Sequence, residues 1–274
     1  MPRHPDNMPM DKENHRKCIY FFFKLVYMIS KARIKFIKSL QLKKYRKQEQ
    51  SFVVEGEKNV RELLDSDYVV TQVICTEDFK NTYYSKANKK IDWVLANDRE
   101  LNSIGSFKTN QSALAVADMK TIRKPSPKSD EWVLVLDDIR DPGNLGTIIR
   151  TADWFGLTDI VVSAETTDVY NPKVLHASMG SFCRVNIYPT ELSTYLSAVS
   201  GKVYGTYLKG EDIHSLIKPE PGHLVIGNES VGISAPLEKF ITDKITIQKL
   251  GGAESLNAAM ATGIILDNLI RLQK

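Results

Sequence analysis

Cysteine is scarce in this chain: three in 274 residues, Cys18, Cys75 and Cys183, with no Cys-x-x-Cys pair. That number and spacing exclude a disulfide framework and a zinc site built on paired cysteines. Reduced thiols imply a cytoplasmic protein. The five histidines show no ligand spacing either, so no metal is expected. The apolar run Cys18–Ile29 is interrupted by Lys24 and falls short of the ~20 residues that span a bilayer. No small-x-small cleavage site comes after it, so neither a membrane partner nor export is expected. Glycine-based nucleotide fingerprints are missing as well. Gly143 and Gly146 do not form G-x-G-x-x-G, and no Lys-Ser/Thr comes after them, which argues against a nicotinamide-dependent oxidoreductase and a P-loop enzyme.

What is present is an ordinary globular composition, 42% hydrophobic and 26% charged, with room for two domains. The net charge of +4 is mild, but its distribution is uneven. Lys31 to Lys47 holds eight basic residues and no acidic one, a local block able to attract phosphate. Residues 1–27 fit poorly with the rest of the chain and read as an over-extended start or a disordered tail, with the folded protein beginning near Met28. Ser30–Lys47 then reads as one amphipathic basic helix. Strands at 51–54, 69–75, 91–95 and 113–117 alternate with helices opening at Gly56, 78–87 and 98–104, giving a small α/β domain over residues 28–118. The segment 119–130, polar and basic with Pro125 and Pro127, is a linker. A second alternation fills 131–274, with strands at 132–136, 159–163, 202–206, 223–227 and 244–247 and helices at 144–155, 171–178, 190–199 and 255–270.

Three pieces of this second half place polar residues at strand-to-helix turns: LDDIRDPGNLGTIIRTADWFG (136–156), VIGNESVGIS (225–234) and ITIQKLGGAESLNAAMATG (245–263). Such turns lie at the carboxyl ends of strands, where open α/β sheets bind ligands. In the first, Asn144 is a candidate helix N-cap and Arg150 falls off the stripe of Leu145, Ile148, Ile149 and Ala152. In the third, Ser255 reads as the cap of the last helix, whose buried face holds Leu256, Ala259, Met260, Gly263, Leu266 and Ile270. Gly263 inside that helix costs about 1 kcal/mol against alanine, which suggests close packing. Singly, each motif is an ordinary turn with an exposed polar side chain.

Together, Asn144-x-Gly146-x-x-x-Arg150, Ile226-Gly227-x-Glu229 and Gly251-x-x-x-Ser255-Leu256-Asn257 resemble the SpoU (TrmH-like) class of the SPOUT RNA methyltransferases. NPKVLHASMGS (171–181) resembles a further segment of the family, with Asn171, Lys173 and Ser178 near the substrate. The resemblance implies a knotted (trefoil) parallel-sheet α/β methyltransferase domain preceded by a small α/β RNA-binding domain, and a homodimer. It implies an enzyme that transfers a methyl group from S-adenosylmethionine (AdoMet) to an RNA ribose 2′-hydroxyl, in 23S rRNA rather than tRNA. The alternatives are a tRNA 2′-O-methyltransferase or a non-catalytic RNA-binding, ribosome-assembly protein. By the same resemblance, Asn144, Arg150, Glu229, Ser255 and Asn257 are catalytic, with Glu229 orienting a partner such as Arg150. Leu208, Gly210, Ile226, Gly227, Ile247, Leu250, Ser255 and Leu256 hold the cofactor. The RNA-binding candidates are Lys35, Lys38, Lys43, Lys44, Arg46 and Lys173. The chain departs from the family where Gln248 and Lys249 replace the usual Pro-Met.

Overall fold

The computed structural model describes residues 29–87, 90–107, 110 and 112–272. The expected extension over 1–27, and Cys18 with it, lies outside the described residues. The basic stretch expected as one helix forms two, α1 (Lys31–Ser39) and α2 (Lys43–Glu49). The break has a physical cause. Leu40 is fully buried, and Arg46 Nη1 donates to the carbonyls of Leu40 (2.9 Å) and Gln41 (2.8 Å), the groups a helix end leaves unpaired.

The chain then forms a four-stranded sheet, β1 (Ser51–Glu55), β2 (Val70–Cys75), β3 (Asp92–Leu95) and β4 (Ala113–Asp118), in the order β1-β4-β2-β3. Helices α3 (Glu57–Leu64), α4 (Glu77–Tyr83) and α5 (Asp98–Ile104) join its strands. Each starts where the sequence offers a device: Gly56 at φ +89°, Thr76 on the Phe79 amide, and an Asn97/Glu100 capping box.

Beyond residue 130 lies a wholly parallel six-stranded sheet: β5 (Val133–Leu136), β6 (Asp159–Val162), β7 (Asn186–Pro189), β8 (Lys202–Asp212), β9 (Gly222–Ile226) and β10 (Asp243–Thr246), in the order β10-β8-β9-β5-β6-β7. Val133–Leu136 is buried along its whole length, as an uninterrupted apolar strand covered on both faces must be. Helices α6 (Pro142–Trp154), α7 (Pro172–Ser178), α8 (Leu192–Ser197) and α9 (Ala258–Arg271) cover the sheet. The sequence reading missed β7, whose NIYP has no alternation and is only half buried. It also ended β8 six residues early, because β8 continues past Thr206 to pair again with β10.

The two sheets share one apolar cluster, in which β1 meets the larger sheet's helices and loops. The Phe52 ring lies 4.5 Å from Tyr170 and 6.1 Å from Phe182. Charges reinforce the contact. Arg46 Nη2 and Nε hold the Asp168 carboxylate at 2.6 and 3.2 Å. Arg184 bridges Glu62 (2.5 Å) and Asp153 (2.8 Å). Burial works to raise both of these carboxyls, yet the hydrogen bonds from Arg184 hold them below their ordinary values. Arg46 is therefore not an RNA-facing residue. Its side chain is 3% exposed, and its donors are spent inside the protein.

This packing makes two effects measurable. Arg46→Ala strands Asp168 and two carbonyls and lowers unfolding free energy by about 3 kcal/mol in urea titration, while leaving the salt dependence of RNA binding unchanged. The second effect concerns His223 on β9, whose Nε2 meets Tyr195 Oη at 2.9 Å while Nδ1 has no partner among the described residues. Burial lowers its pKa from 6.5 to about 4. Above pH 6.5 the ring is neutral in both folded and unfolded chains. As pH falls from 6.5 toward 4 only the unfolded chain gains the proton. Stability should therefore drop by about 3 kcal/mol across that window, a drop that His223→Gln removes.

Candidate active site

The turn after β5 is organised by its aspartates. Asp137 takes the Ser234 amide on Oδ2 at 2.7 Å and donates its own amide to Ile226 (2.9 Å), tying β5 to the loop after β9. Asp138 sits in the left-handed region at φ +59°, a conformation Asp tolerates better than most residues. Its amide donates to Ser163 Oγ (3.0 Å) and its carbonyl accepts Asn228 Nδ2 (2.9 Å). Asp141 caps α6 by accepting the Asn144 amide at 2.8 Å, with Pro142 in the first turn. The cap is thus Asp141 and not Asn144, which frees the Asn144 side chain.

That side chain joins all three motifs. Asn144 Nδ2 donates to Glu229 Oε1 at 2.5 Å, and Asn144 Oδ1 accepts Asn257 Nδ2 at 2.8 Å. These partners are 85 and 113 residues away. A carboxylate only accepts, so the Asn144 amide has one possible orientation and Asn257 must donate. Asn257 in turn accepts the Ala259 (3.0 Å) and Met260 (3.3 Å) amides as the cap of α9. The expected cap, Ser255, lies two residues outside it and is exposed. β5 and β9 are neighbours at which the chain's direction of travel across the sheet reverses. The linked residues therefore stand at a switch point, where parallel sheets bind ligands.

Glu229 is paired with Asn144 and not with Arg150. The Arg150 side chain is exposed and makes no ion pair or hydrogen bond among the described residues. It stands six residues along α6 from Asn144, about 9 Å by helix rise. Asn228, which sequence reasoning passed over, is a hub. Its Oδ1 accepts the Ser230 (2.9 Å) and Val231 (3.3 Å) amides, and its backbone closes a tight loop with Gly232. Gly227 admits that loop, since a Cβ there would lie 2.3 Å from the Gly232 backbone. Arg140 also went unnoticed. Its Nε donates to Asp138 Oδ1 at 2.7 Å, a hydrogen bond that raises its pKa further.

Of the residues assigned to the cofactor, Leu208 and Gly210 lie within the far half of β8, Ile226 ends β9, Gly227 comes just after it, and Ile247, Leu250, Ser255 and Leu256 come after β10. Ile226 is buried and Gly227 and Ile247 half-buried, whereas Leu208, Leu250 and Leu256 are exposed, Leu250 by 91%. Leu256 and Met260 therefore do not belong to the buried face of α9. Gly210 approaches the β10 backbone closely, and a Cβ would fall 2.6 Å from the Lys244 carbonyl. Gly263 is different: a Cβ there would meet only Thr151 Cγ2 at 3.9 Å, so packing within the chain does not require it. Lys35, Lys38, Lys43, Lys44 and Lys173 are exposed. Asn171 caps α7, and Ser178 is fully buried, its hydroxyl donating to Leu175, so Ser178 cannot face a substrate. Among the described residues no group of three or more His, Cys, Asp or Glu could hold a metal, and no helix is long and apolar enough to cross a membrane.

Gly146 in the first motif is a packing requirement. A Cβ there would lie 2.6 Å from both Ala177 Cβ and the Val174 carbonyl on α7. Gly146→Ala should lower stability by about 1–3 kcal/mol in chemical unfolding by prying α6 from α7.

Comparison with known proteins agrees with this geometry. Residues 131–267 match the SpoU rRNA Methylase family, and residues 31–115 match an MRM3-like substrate binding domain. The 23S rRNA (guanosine(2553)-2′-O)-methyltransferase RlmP of Bacillus subtilis is 32% identical over 241 residues, 86% of this chain and 95% of that protein. A TrmH-family structure from Porphyromonas gingivalis is 36% identical and superimposes with a TM-score of 0.79 over 89% of this chain and 99% of its own. An AdoMet-bound rRNA methyltransferase from Sinorhizobium meliloti is 29% identical, with a TM-score of 0.80 over 90% and 97% of the two chains. With the three motifs joined through Asn144 and half the chain matching the family's domain, the protein belongs to the SpoU rRNA methylase family.

Proposed function

We propose that this protein methylates a ribose 2′-hydroxyl of 23S rRNA, using AdoMet. The observation that carries the reading is the hydrogen-bonded chain Glu229–Asn144–Asn257, which assembles the three motifs at the carboxyl ends of the strands. The cofactor region fits a ligand with apolar faces. Leu208, Leu250 and Leu256 are large, apolar and exposed, and the strand ends bring backbone close at Gly210 and Gly227. AdoMet supplies there an electrophilic sulfonium methyl whose departure leaves a neutral thioether.

The residues divide the remaining work. Ile226, Gly227, Ile247 and the three leucines bind the cofactor and exclude water. Glu229, held by Asn144, keeps its second carboxylate oxygen for the incoming hydroxyl. Arg150 retains its proton far above neutral pH, so we assign it to stabilise the developing alkoxide or a neighbouring phosphate rather than to remove a proton. Ser255, beside the Asn257 cap, borders the same loop. Positioning the ribose against the methyl is the main catalytic contribution, worth up to ~7–11 kcal/mol in favourable cases. Lys35, Lys38, Lys43, Lys44 and Lys173 hold the RNA through phosphate contacts.

We further read the protein as a homodimer with a trefoil knot. Trp154, 84% exposed and one turn past Arg150 on α6, and Met260 on the packed helix α9 are apolar side chains left uncovered, a surface suited to a second copy. For the knot, the support is the path of residues 248–257. They leave β10 at the sheet edge and reach Asn144 beyond β5, three strands away.

The test incubates the full chain and methyl-labelled AdoMet with total RNA from cells lacking the gene. Label should enter large-subunit rRNA at one 2′-hydroxyl. Arg150→Ala should cut the rate about 10²–10³-fold with unchanged unfolding and AdoMet binding. Label confined to tRNA would overturn the substrate, and absence of AdoMet binding would overturn the enzyme.

A further inference from the structure

Between the two sheets lies a cleft of about 830 Å³. Its walls include Lys43 and Lys47 on α2, Lys120 and Arg123 on the linker, and Ser163 and Thr166 after β6. Among the described residues Lys43 and Lys47 carry no carboxylate partner, while Lys120 is paired with Asp67 and Arg123 with Asp159. Ser163 and Thr166 in its wall also hold the turn after β5, although that turn does not itself line the cleft. Ser163 Oγ accepts the Asp138 amide at 3.0 Å, and Thr166 Oγ1 accepts the Ile139 amide at 3.2 Å. Two residues past Asp138 stands Arg140.

Arg140 is aimed rather than loose. One carboxylate oxygen of Asp138 holds its Nε at 2.7 Å, and Asp138 is itself locked by Ser163, by Asn228 and by its left-handed backbone. Asn228, which donates to the Asp138 carbonyl, is the chain neighbour of Glu229, so one hydrogen bond links the anchor of Arg140 to the loop that carries Glu229. The Arg140 side chain is nonetheless 73% exposed and makes no second hydrogen bond or ion pair among the described residues, with the Glu165 carboxylate acting on its charge only from a longer distance. An exposed ion pair of this kind adds little stability. A guanidinium held by its Nε keeps both Nη groups for another anion, and such a pair can grip a phosphate through two parallel hydrogen bonds.

We infer that Arg140 binds a phosphate of the RNA beside the methylated ribose. The inference rests on the RNA methyltransferase reading and assigns that site a substrate-binding residue outside its three motifs. Orientation by Asp138 removes part of the ordering cost from the binding step.

The experiment measures binding of unmethylated large-subunit rRNA transcript to the full chain from 50 to 300 mM salt, and methylation kinetics alongside it. For Arg140→Ala we expect RNA affinity to fall about tenfold and the slope of log affinity on log salt to shrink by about one. The rate at saturating RNA and the affinity for AdoMet should hold. Arg140→Lys should keep the slope while recovering only part of the affinity, because a point charge replaces the fork. Unchanged affinity and slope in Arg140→Ala would overturn the inference, as would a lower saturated rate at unchanged affinity. Wild-type chain that binds RNA without methylating it would remove the enzyme reading alone, since the slopes would still decide the role of Arg140. Wild-type chain that binds no RNA would remove both.

Discussion

The Asn144 side chain is the point on which the candidate active site depends. A primary amide donates on one side and accepts on the other, so it can sit between a carboxylate and a second amide and satisfy both. Glu229 uses the donor and Asn257 the acceptor. No other uncharged side chain of that length offers both in a plane. Replacement by Asp would set a second carboxylate against Glu229, and replacement by Ser would not reach. The bond also has a global effect. Asn257 begins the last helix, so the contact that orders the active site also sets where the C-terminal segment docks.

Much of this was legible in the sequence because strand-turn-helix boundaries leave chemical marks. The alternation of strands and helices could be read from periodicity, while the parallel sheet and the motif residues followed from the resemblance to the SpoU class. What the sequence hid was which of several polar neighbours does which task. Asn144 and Ser255 each looked like a helix cap, but the caps are Asp141 and Asn257. In the first case Asp-Pro-Gly was the available signal, since aspartate before a first-turn proline is a favoured start. In the second, no local rule separates Ser255 from Asn257, and the choice is made by Asn144 from across the sheet. β7 was missed for a similar reason: an edge strand that is only half buried need not alternate.

Arg46 shows the limit of reading charge as function. In sequence it is one of eight basic residues in an unbroken block, indistinguishable from its neighbours. In the fold it is the residue that faces inward, closing the end of α1 with one nitrogen and gripping Asp168 with two others. The carbonyls it closes are local, but the carboxylate it grips, Asp168, lies 122 residues away, outside any window on the sequence. Its lysine neighbours remain outside because a lysine offers a single point charge and no fork to share between carbonyls and a carboxylate.

This inward arginine bears on the outward ones. A phosphate-binding surface is useful to a methyltransferase only if it stands at a defined distance from the reacting ribose, and exposed lysines on a freely swinging domain would bind RNA without registering it. Arg46–Asp168, the Arg184 bridge and the Phe52–Tyr170–Phe182 contacts set that distance by locking α2 to the larger sheet. Asp168 lies only two residues beyond Thr166, whose hydroxyl supports the catalytic turn. The segment that receives the basic helix is thus the one that braces Asp138 and Ile139. Loosening the domain contact would therefore disturb the turn of the candidate site as well as the proposed RNA surface, and on that proposal the two parts of the protein are better regarded as one binding device than as a catalyst with an attached adaptor.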